Sequence, residues 1–193
     1  KELEEINFAS KYGGKLYGLF NVEDSAEKIF PNYKSDIYGM EIKFGDNKKA
    51  VGEKMALYGA FHGVFVPLLD TDSQNYTWLA GDAYNSAGAQ ELSIIFKKYL
   101  YNFIRTGNPN GENLAYWDKW SLENERLGKS LLYLDADAEQ AYSYMGKKEF
   151  TYKDVLNEMD RDSTITKDAK KKIISEVLNG RWFSGELDKK YRN

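Results

Sequence analysis

The clearest periodic pattern in the chain lies between residues 89 and 105. Apolar residues recur there at intervals of three and four, which places them on one face of a helix. They are Leu92, Ile95, Phe96, Tyr99 and Phe103. Glu91 lies in the first turn, where a negative charge suits the helix dipole, and Gly107 followed by Pro109 marks the end. The pattern predicts an amphipathic helix packed against a core.

Residues 38 to 44 alternate between apolar and polar side chains, which is the pattern of a strand with one buried face. The apolar positions are Tyr38, Met40, Ile42 and Phe44. Gly45-Asp46-Asn47 predicts a turn after this strand. A weaker helical pattern then covers Lys48 to Tyr58.

The N-terminal residues favour a helix that ends early. Leu3, Ile6 and Phe8 fall on one side, and the pair Gly13-Gly14 is a common helix stop. Leu16 to Phe20 then predicts a short, largely buried strand. A first residue in the tail of a helix, with no Met, leads us to expect that the chain is part of a longer protein.

The C-terminal half predicts two more helices and a strand. Ser130 to Leu134 is an apolar run typical of a buried strand. A short helix is expected to begin at Thr151, because Asp154 three residues later completes a capping-box variant, and Phe150 and Val155 could form its hydrophobic staple. The last helix should cover Lys167 to Asn179 and stop at Gly180.

The amino-acid composition excludes several classes of function for this chain. The chain has 193 residues, 42% of them hydrophobic, which is enough for one domain with a core. The formal net charge is −3, and acidic residues lie near each lysine block, so we expect no nucleic-acid partner. No run approaches the ~20 apolar residues that a membrane-spanning helix needs. With no Cys and one His, disulfides and thiolate catalysis are excluded, and a zinc site is implausible. We therefore expect no metal and no cofactor.

Two motifs carry the candidate chemistry. The only histidine, His62, lies in the string Gly-Ala-Phe-His-Gly at residues 59 to 63. Residues 106 to 111, at the end of the long predicted helix, are Thr-Gly-Asn-Pro-Asn-Gly, which we interpret as a structural turn. A loop after a core strand can hold an imidazole at the rim of a sheet. Its ordinary pKa near 6.5 suits a proton shuttle at neutral pH, although a lone histidine can also be a packed side chain without chemistry.

These motifs, in this order, resemble the C-terminal portion of a type B carboxylesterase, the cholinesterase-like branch of the α/β-hydrolases. The pieces that follow the family's order are the strand at 16 to 20, the His62 loop, the helix at 89 to 105 with its Asn-Pro turn, the loop with Trp117 and Trp120, and the strand ending at Leu134. Trp182-Phe183 resembles an aromatic pair in that branch's last helix. The resemblance implies an α/β fold with a mostly parallel sheet. Residues 1–193 would be the C-terminal segment, with the last strands and flanking helices, incomplete on its own.

The resemblance also implies a function, that of a serine carboxylic-ester hydrolase. In that fold the catalytic residues come in the order serine, acid, histidine. His62 would be the triad histidine, and no Gly-x-Ser-x-Gly occurs in the chain. Neither the later acids nor the serines fit the missing roles. They are Asp70, Asp72, Asp82, Ser73, Ser86, Ser93 and Ser184. The nucleophile and acid would lie upstream, the partners would be an ester substrate and the rest of the hydrolase domain, and the isolated chain would be inactive.

The chain departs from the family pattern at two places. Relatives commonly carry an acidic residue shortly after the histidine, where this chain has Phe65. Residues 21–58, ahead of the histidine loop, are long and are interpreted as an insertion. Two alternatives stay open, and the departures support the first of them. One is a non-catalytic, cholinesterase-like adhesion or scaffold protein, and the other is an unrelated α/β domain with a chance motif.

Overall fold

The computed structural model describes residues 1–70 and 76–192. The helices are α1 Glu2–Gly18, α2 Asp24–Ile29, α3 Lys48–Tyr58, α4 Val66–Leu69, α5 Thr77–Ala80, α6 Ala87–Thr106, α7 Leu122–Arg126, α8 Tyr152–Arg161, α9 Lys167–Ile173 and α10 Gly185–Tyr191. The strands are β1 Gly39–Ile42, β2 Leu131–Ala136 and β3 Ala141–Gly146. Wide π-helical turns cover Leu19–Glu23 and Ile174–Leu178.

The strands form a mixed three-stranded sheet in the order β1-β2-β3. β1 pairs with β2 in parallel, with Ile42 opposite Leu134, and β2 pairs with β3 in the antiparallel direction. Because a parallel pair needs a crossover connection, the helices from α3 to α7 lie between β1 and β2 in the chain. The strands predicted around residues 38 to 44 and 130 to 134 are confirmed as β1 and β2, and β3 was not predicted.

The first hydrophobic core lies between the sheet and α6, as the periodic pattern predicts. Leu92 and Tyr99 of α6 are fully buried there, together with Leu132 and Leu134 of β2. The end of α6 is confirmed as well, since Gly107 adopts the left-handed conformation with φ of 73°. This core holds the loop regions before and after α6 against one face of the sheet.

A second hydrophobic core is formed by helices alone. Phe8, Tyr12 and Leu16 of α1 pack there with Val155 of α8 and Leu178 of the second π-helical turn. The capping box of α8 is confirmed by the structure. The side chains of Thr151 and Asp154 each accept a hydrogen bond from the other residue's backbone N–H.

The predicted ending of the first helix is wrong. α1 continues through Gly13 and Gly14 to Gly18 and passes into the π-helical turn, so the strand expected from Leu16 to Phe20 is helical. Gly13 does not end the helix. It permits close packing, because a Cβ there would lie 3.3 Å from Cδ2 of Leu178. Leu16 and Leu19 are buried among helices. A short apolar run is typical of a buried helix segment as well as of a buried strand, so the pattern alone did not separate the two.

Two other expectations bear on the domain organisation. The segment 21–58 contains α2, β1 and α3, and its assignment as an insertion stays a prediction. Trp182 and Phe183 precede α10 instead of lying within the last helix. Across the described ranges, no helix combines the length and apolar character needed to cross a membrane.

Candidate functional site

His62 lies in the loop that follows α3. That helix ends at Tyr58, and Gly59 follows it with a φ of 66° that permits the chain to turn sharply; α4 begins at Val66. The side chain of His62 is exposed. We expected this loop to follow a strand directly. Instead, α3 lies between β1 and the histidine. An imidazole in this position is accessible from outside the chain.

The loop before His62 nevertheless rests on the turn that follows β1. The backbone N–H of Ala60 donates a hydrogen bond to Oδ1 of Asp46 at 2.7 Å. The two backbones approach so closely that a Cβ on Gly45 would lie 2.8 Å from the carbonyl oxygen of Gly59. The histidine loop is therefore fixed to the turn that follows β1.

Two aromatic rings lie beside the imidazole. The ring centroid of Tyr17, on α1, lies 5.9 Å from that of His62, and the ring of Phe61 lies at 6.1 Å in an edge-to-face arrangement. Gly63 is buried, and a Cβ there would overlap the hydroxyl of Tyr76 and lie 2.8 Å from the ring of Phe61. The residue after the histidine must therefore be small, and the imidazole is left on the outer side of the loop.

The segment after His62 is anchored to the neighbouring helices. The hydroxyl of Tyr84 donates to the carbonyl oxygen of Val64 at 2.9 Å, and the hydroxyl of Ser93 on α6 donates to the carbonyl oxygen of Leu68 at 2.5 Å. Phe65 is 39% exposed and packs its ring 6.4 Å from that of Phe96. The position where the resemblance implies an acid is therefore filled here by an apolar contact to α6.

The Asn-Pro turn after α6 has the structural role that its sequence predicts. The side chain of Asn102 donates to the carbonyl oxygens of Pro109 and Asn110. Asn110 in turn bonds both backbone groups of Trp117, at 2.6 and 3.0 Å. The indole of Trp117 then donates to the carbonyl oxygen of Gly39 at 3.0 Å. The turn thus connects α6 to the first residue of β1.

The serines and acids considered above lie, where the structure describes them, in helix caps, within α6 or at the surface. Ser86 and Ser184 cap the first turns of α6 and α10, and Ser93 is bonded to Leu68 as described above. Asp82 is exposed at the start of a short turn, and Asp70 is exposed at the end of α4. Asp72 and Ser73 lie outside the described residues. Asp70 and Asp82 lie outside the helices, as expected of loop residues, whereas Ser93 lies within α6. That none of these residues belongs to a triad stays a prediction.

A buried carboxyl group elsewhere in the chain was missed from the sequence. Glu23, in the first π-helical turn, is only 3% exposed, and its Oε1 has no hydrogen-bond partner among the described residues. Burial, opposed by the charge of Lys148 and assisted by that of Glu41, raises the pKa of Glu23 to about 7. Burial also raises the pKa of Glu41 on β1. No sequence signal marked Glu23, because its burial depends on the π-helical turn covering the sheet.

Within residues 1–70 and 76–192, no group of three or more His, Asp or Glu side chains could hold a metal ion. His62 belongs to no such group among the described residues.

Comparison with known proteins gives one short similarity. A stretch of 44 residues, 23% of this chain, is 41% identical to Carboxylesterase 4A of Bos taurus and amounts to 8% of that protein. No protein-family model matches the chain, and no solved structure matches it. The chain therefore carries a short carboxylesterase-like stretch and represents a small part of the relative's length.

Proposed function

We propose that this chain is the C-terminal portion of a serine carboxylic-ester hydrolase, with His62 as the triad histidine. In this proposal β1 and β2 belong to the parallel sheet of an α/β-hydrolase fold, and the chain supplies the last part of that domain. The nucleophilic serine, the triad acid and the oxyanion-hole amides belong to the preceding part of the polypeptide. An ester is the substrate, and the rest of the domain is the partner.

The observation that carries the proposal is the position of the imidazole. Open α/β sheets bind their ligands beyond the carboxyl ends of the parallel strands. The loop of His62 is bonded through Ala60 to Asp46, in the turn that follows β1, and the ring is exposed. A serine from another part of the domain can approach such a ring. The short carboxylesterase-like stretch supports the same class of protein.

The chemistry assigned to His62 is proton transfer in both halves of an acyl-enzyme reaction. Its imidazole takes the proton of the serine hydroxyl as the oxygen attacks the ester carbonyl, and then gives that proton to the departing alcohol. In the second half a water molecule replaces the serine as the attacking group, and the acid product and free serine are released. The imidazole ends each turnover in its starting state.

The test is hydrolysis of p-nitrophenyl acetate by the full-length polypeptide that contains this segment. His62→Ala should lower the rate by a factor of about 10⁴ or more, because the remaining triad members act only as a unit. Phe65→Ala is the matched control, since it alters the same loop without removing a titratable group. A His62→Ala variant that keeps the rate of the Phe65→Ala control would refute the assignment. The isolated 193-residue chain should show no more hydrolysis than its own His62→Ala variant.

One observation favours a second candidate, a non-catalytic adhesion or scaffold relative. Phe65 replaces the acid common in relatives and is packed against Phe96, so polar contacts at this place in the loop are replaced by an aromatic one. A fluorophosphonate probe, which labels an activated serine, separates the two functions in the full-length polypeptide. Labelling supports the hydrolase, and its failure together with a replaced elbow serine supports the scaffold.

A further inference from the structure

We propose that Asp46 is a positioning residue for His62, because it ties the loop that carries the imidazole to the turn after β1. The inference deepens the proposed function and rests on it for its catalytic meaning. The physical contact itself can be measured whether or not the parent protein is an esterase.

The contact joins two segments that are separated by α3. Oδ1 of Asp46 accepts the backbone N–H of Ala60 at 2.7 Å, two residues before the histidine. The same oxygen would lie 2.8 Å from a Cβ placed on Gly59. An ionised acceptor gives a stronger hydrogen bond than a neutral one. Asp46 therefore holds the loop at the point where it leaves α3.

The fit of the two backbones makes this contact specific. Gly45 has φ of 135° and Gly59 has φ of 66°, both in the region that favours glycine. A Cβ on Gly45 would lie 2.8 Å from the carbonyl oxygen of Gly59 and 3.0 Å from the Cα of Ala60. The turn and the loop meet with no side chain between them. The carboxylate of Asp46 can reach the loop only because both glycines leave room.

The neighbouring residues have separate tasks. The side chain of Asn47 accepts the backbone N–H of Lys49 and caps α3, and the backbone N–H of Asp46 closes the turn onto the carbonyl oxygen of Lys43. The capping role and the loop contact thus belong to different side chains. Asn47→Ala can therefore serve as a control that weakens the same region without removing the bond to Ala60.

The single histidine makes the position of its ring directly measurable by NMR, since the chain gives one imidazole resonance set. In the wild type, the ring of His62 should show a nuclear Overhauser contact to the ring of Tyr17, identified by its loss in Tyr17→Leu. In Asp46→Ala this contact should disappear, and the amide of Ala60 should exchange with solvent about tenfold faster or more. Asp46→Asn retains a carbonyl acceptor and should keep most of both signals.

Each outcome decides the proposal. Asn47→Ala should lower the melting temperature while leaving the ring contact and the exchange of Ala60 unchanged. Unchanged signals in Asp46→Ala, or equal losses in Asn47→Ala, would overturn the positioning role. Should Asp46→Ala not fold, Asp46→Glu takes its place, because its acceptor is displaced by one methylene. It should weaken the ring contact relative to Asp46→Asn, and equal contacts in the two would overturn the proposal.

The catalytic arm uses the full-length polypeptide. Asp46→Ala should lower kcat there with little change in KM, because the imidazole is misplaced while the substrate site is not. If the NMR signals change as stated but His62→Ala keeps its hydrolysis rate, the proposed function fails while the contact stands. If His62→Ala is inactive and the NMR signals of Asp46→Ala are unchanged, only the positioning role fails.

Discussion

The buried carboxyl group of Glu23 makes the stability of this chain depend on pH in a defined direction. The group is 3% exposed in the π-helical turn that covers the sheet, and burial raises its pKa from the ordinary 4.5 to about 7. Ionisation of a carboxyl group without a full set of partners is unfavourable in such a site. We therefore expect Glu23→Gln, which keeps the shape and removes the ionisation, to be more stable than the wild type in alkaline solution.

The magnitude follows from the difference between the two pKa values. Between pH 4.5 and 7 the folded chain holds a proton on Glu23 that the unfolded chain has lost, so stability falls as the pH rises through this window. The free energy of unfolding stops decreasing above the pKa that Glu23 has in the folded chain. At 1.36 kcal/mol per pH unit, the wild type should lose about 2 to 3 kcal/mol relative to Glu23→Gln between pH 5 and pH 8.

The assay is urea unfolding of both proteins at pH 5 and pH 8, followed by circular dichroism. Glu27→Gln is the matched control, because Glu27 lies one turn further along the same helical stretch and is exposed. The control should keep the pH dependence of the wild type. If Glu23→Gln and the wild type differ by the same free energy of unfolding at both pH values, the assigned burial of a protonated carboxyl group is wrong.

Three further predictions concern the helices. Thr151→Ala removes one half of the capping box of α8 and should lower the free energy of unfolding by about 1 kcal/mol; a melting curve identical to that of the wild type would contradict the role of the cap. Leu92→Ala leaves a cavity in the first core and should cost about 2 to 5 kcal/mol in urea unfolding, whereas Ile94→Ala on the exposed face should have little effect. Gly88→Ala should destabilise the protein although alanine favours helices, because its Cβ would overlap the carbonyl oxygen of Asp137; a higher melting temperature would refute this.

The elements that sequence reasoning found are those whose pattern is local. α6 follows from its period of three and four, and the cap of α8 follows from a spacing of three residues between Thr151 and Asp154. β1 follows from simple alternation, since Met40 and Ile42 pack against the first core. In each case the residues that determine the element lie close together in the sequence.

The elements that were missed depend on contacts distant in sequence. Gly13 was interpreted as a helix stop, but it lies within α1 and leaves room for the side chain of Leu178. The predicted early end of α1 was therefore wrong. β3 was missed because its large aromatic residues, Tyr142 and Tyr144, are on the exposed side, which inverts the usual pattern of an edge strand.

In the candidate site, too, the local motif could be predicted from the sequence, whereas the contacts distant in sequence could not. His62 could be found because its motif is a short string of residues, and the structure leaves its ring exposed. Its contact through Ala60 to Asp46 could not be predicted, because two turns on either side of α3 must meet backbone to backbone. The buried position of Glu23 likewise requires the π-helical turn that replaces the expected strand.

The role of His62 as the catalytic base is measured most directly by chemical rescue of His62→Gly with free imidazole in the full-length polypeptide. An exposed site without the side chain can admit imidazole, which then supplies the missing base. We expect hydrolysis of p-nitrophenyl butyrate to rise with imidazole concentration in His62→Gly, above the enzyme-free imidazole blank, and not in Phe65→Ala. A His62→Gly variant that is fully active without imidazole would contradict this role.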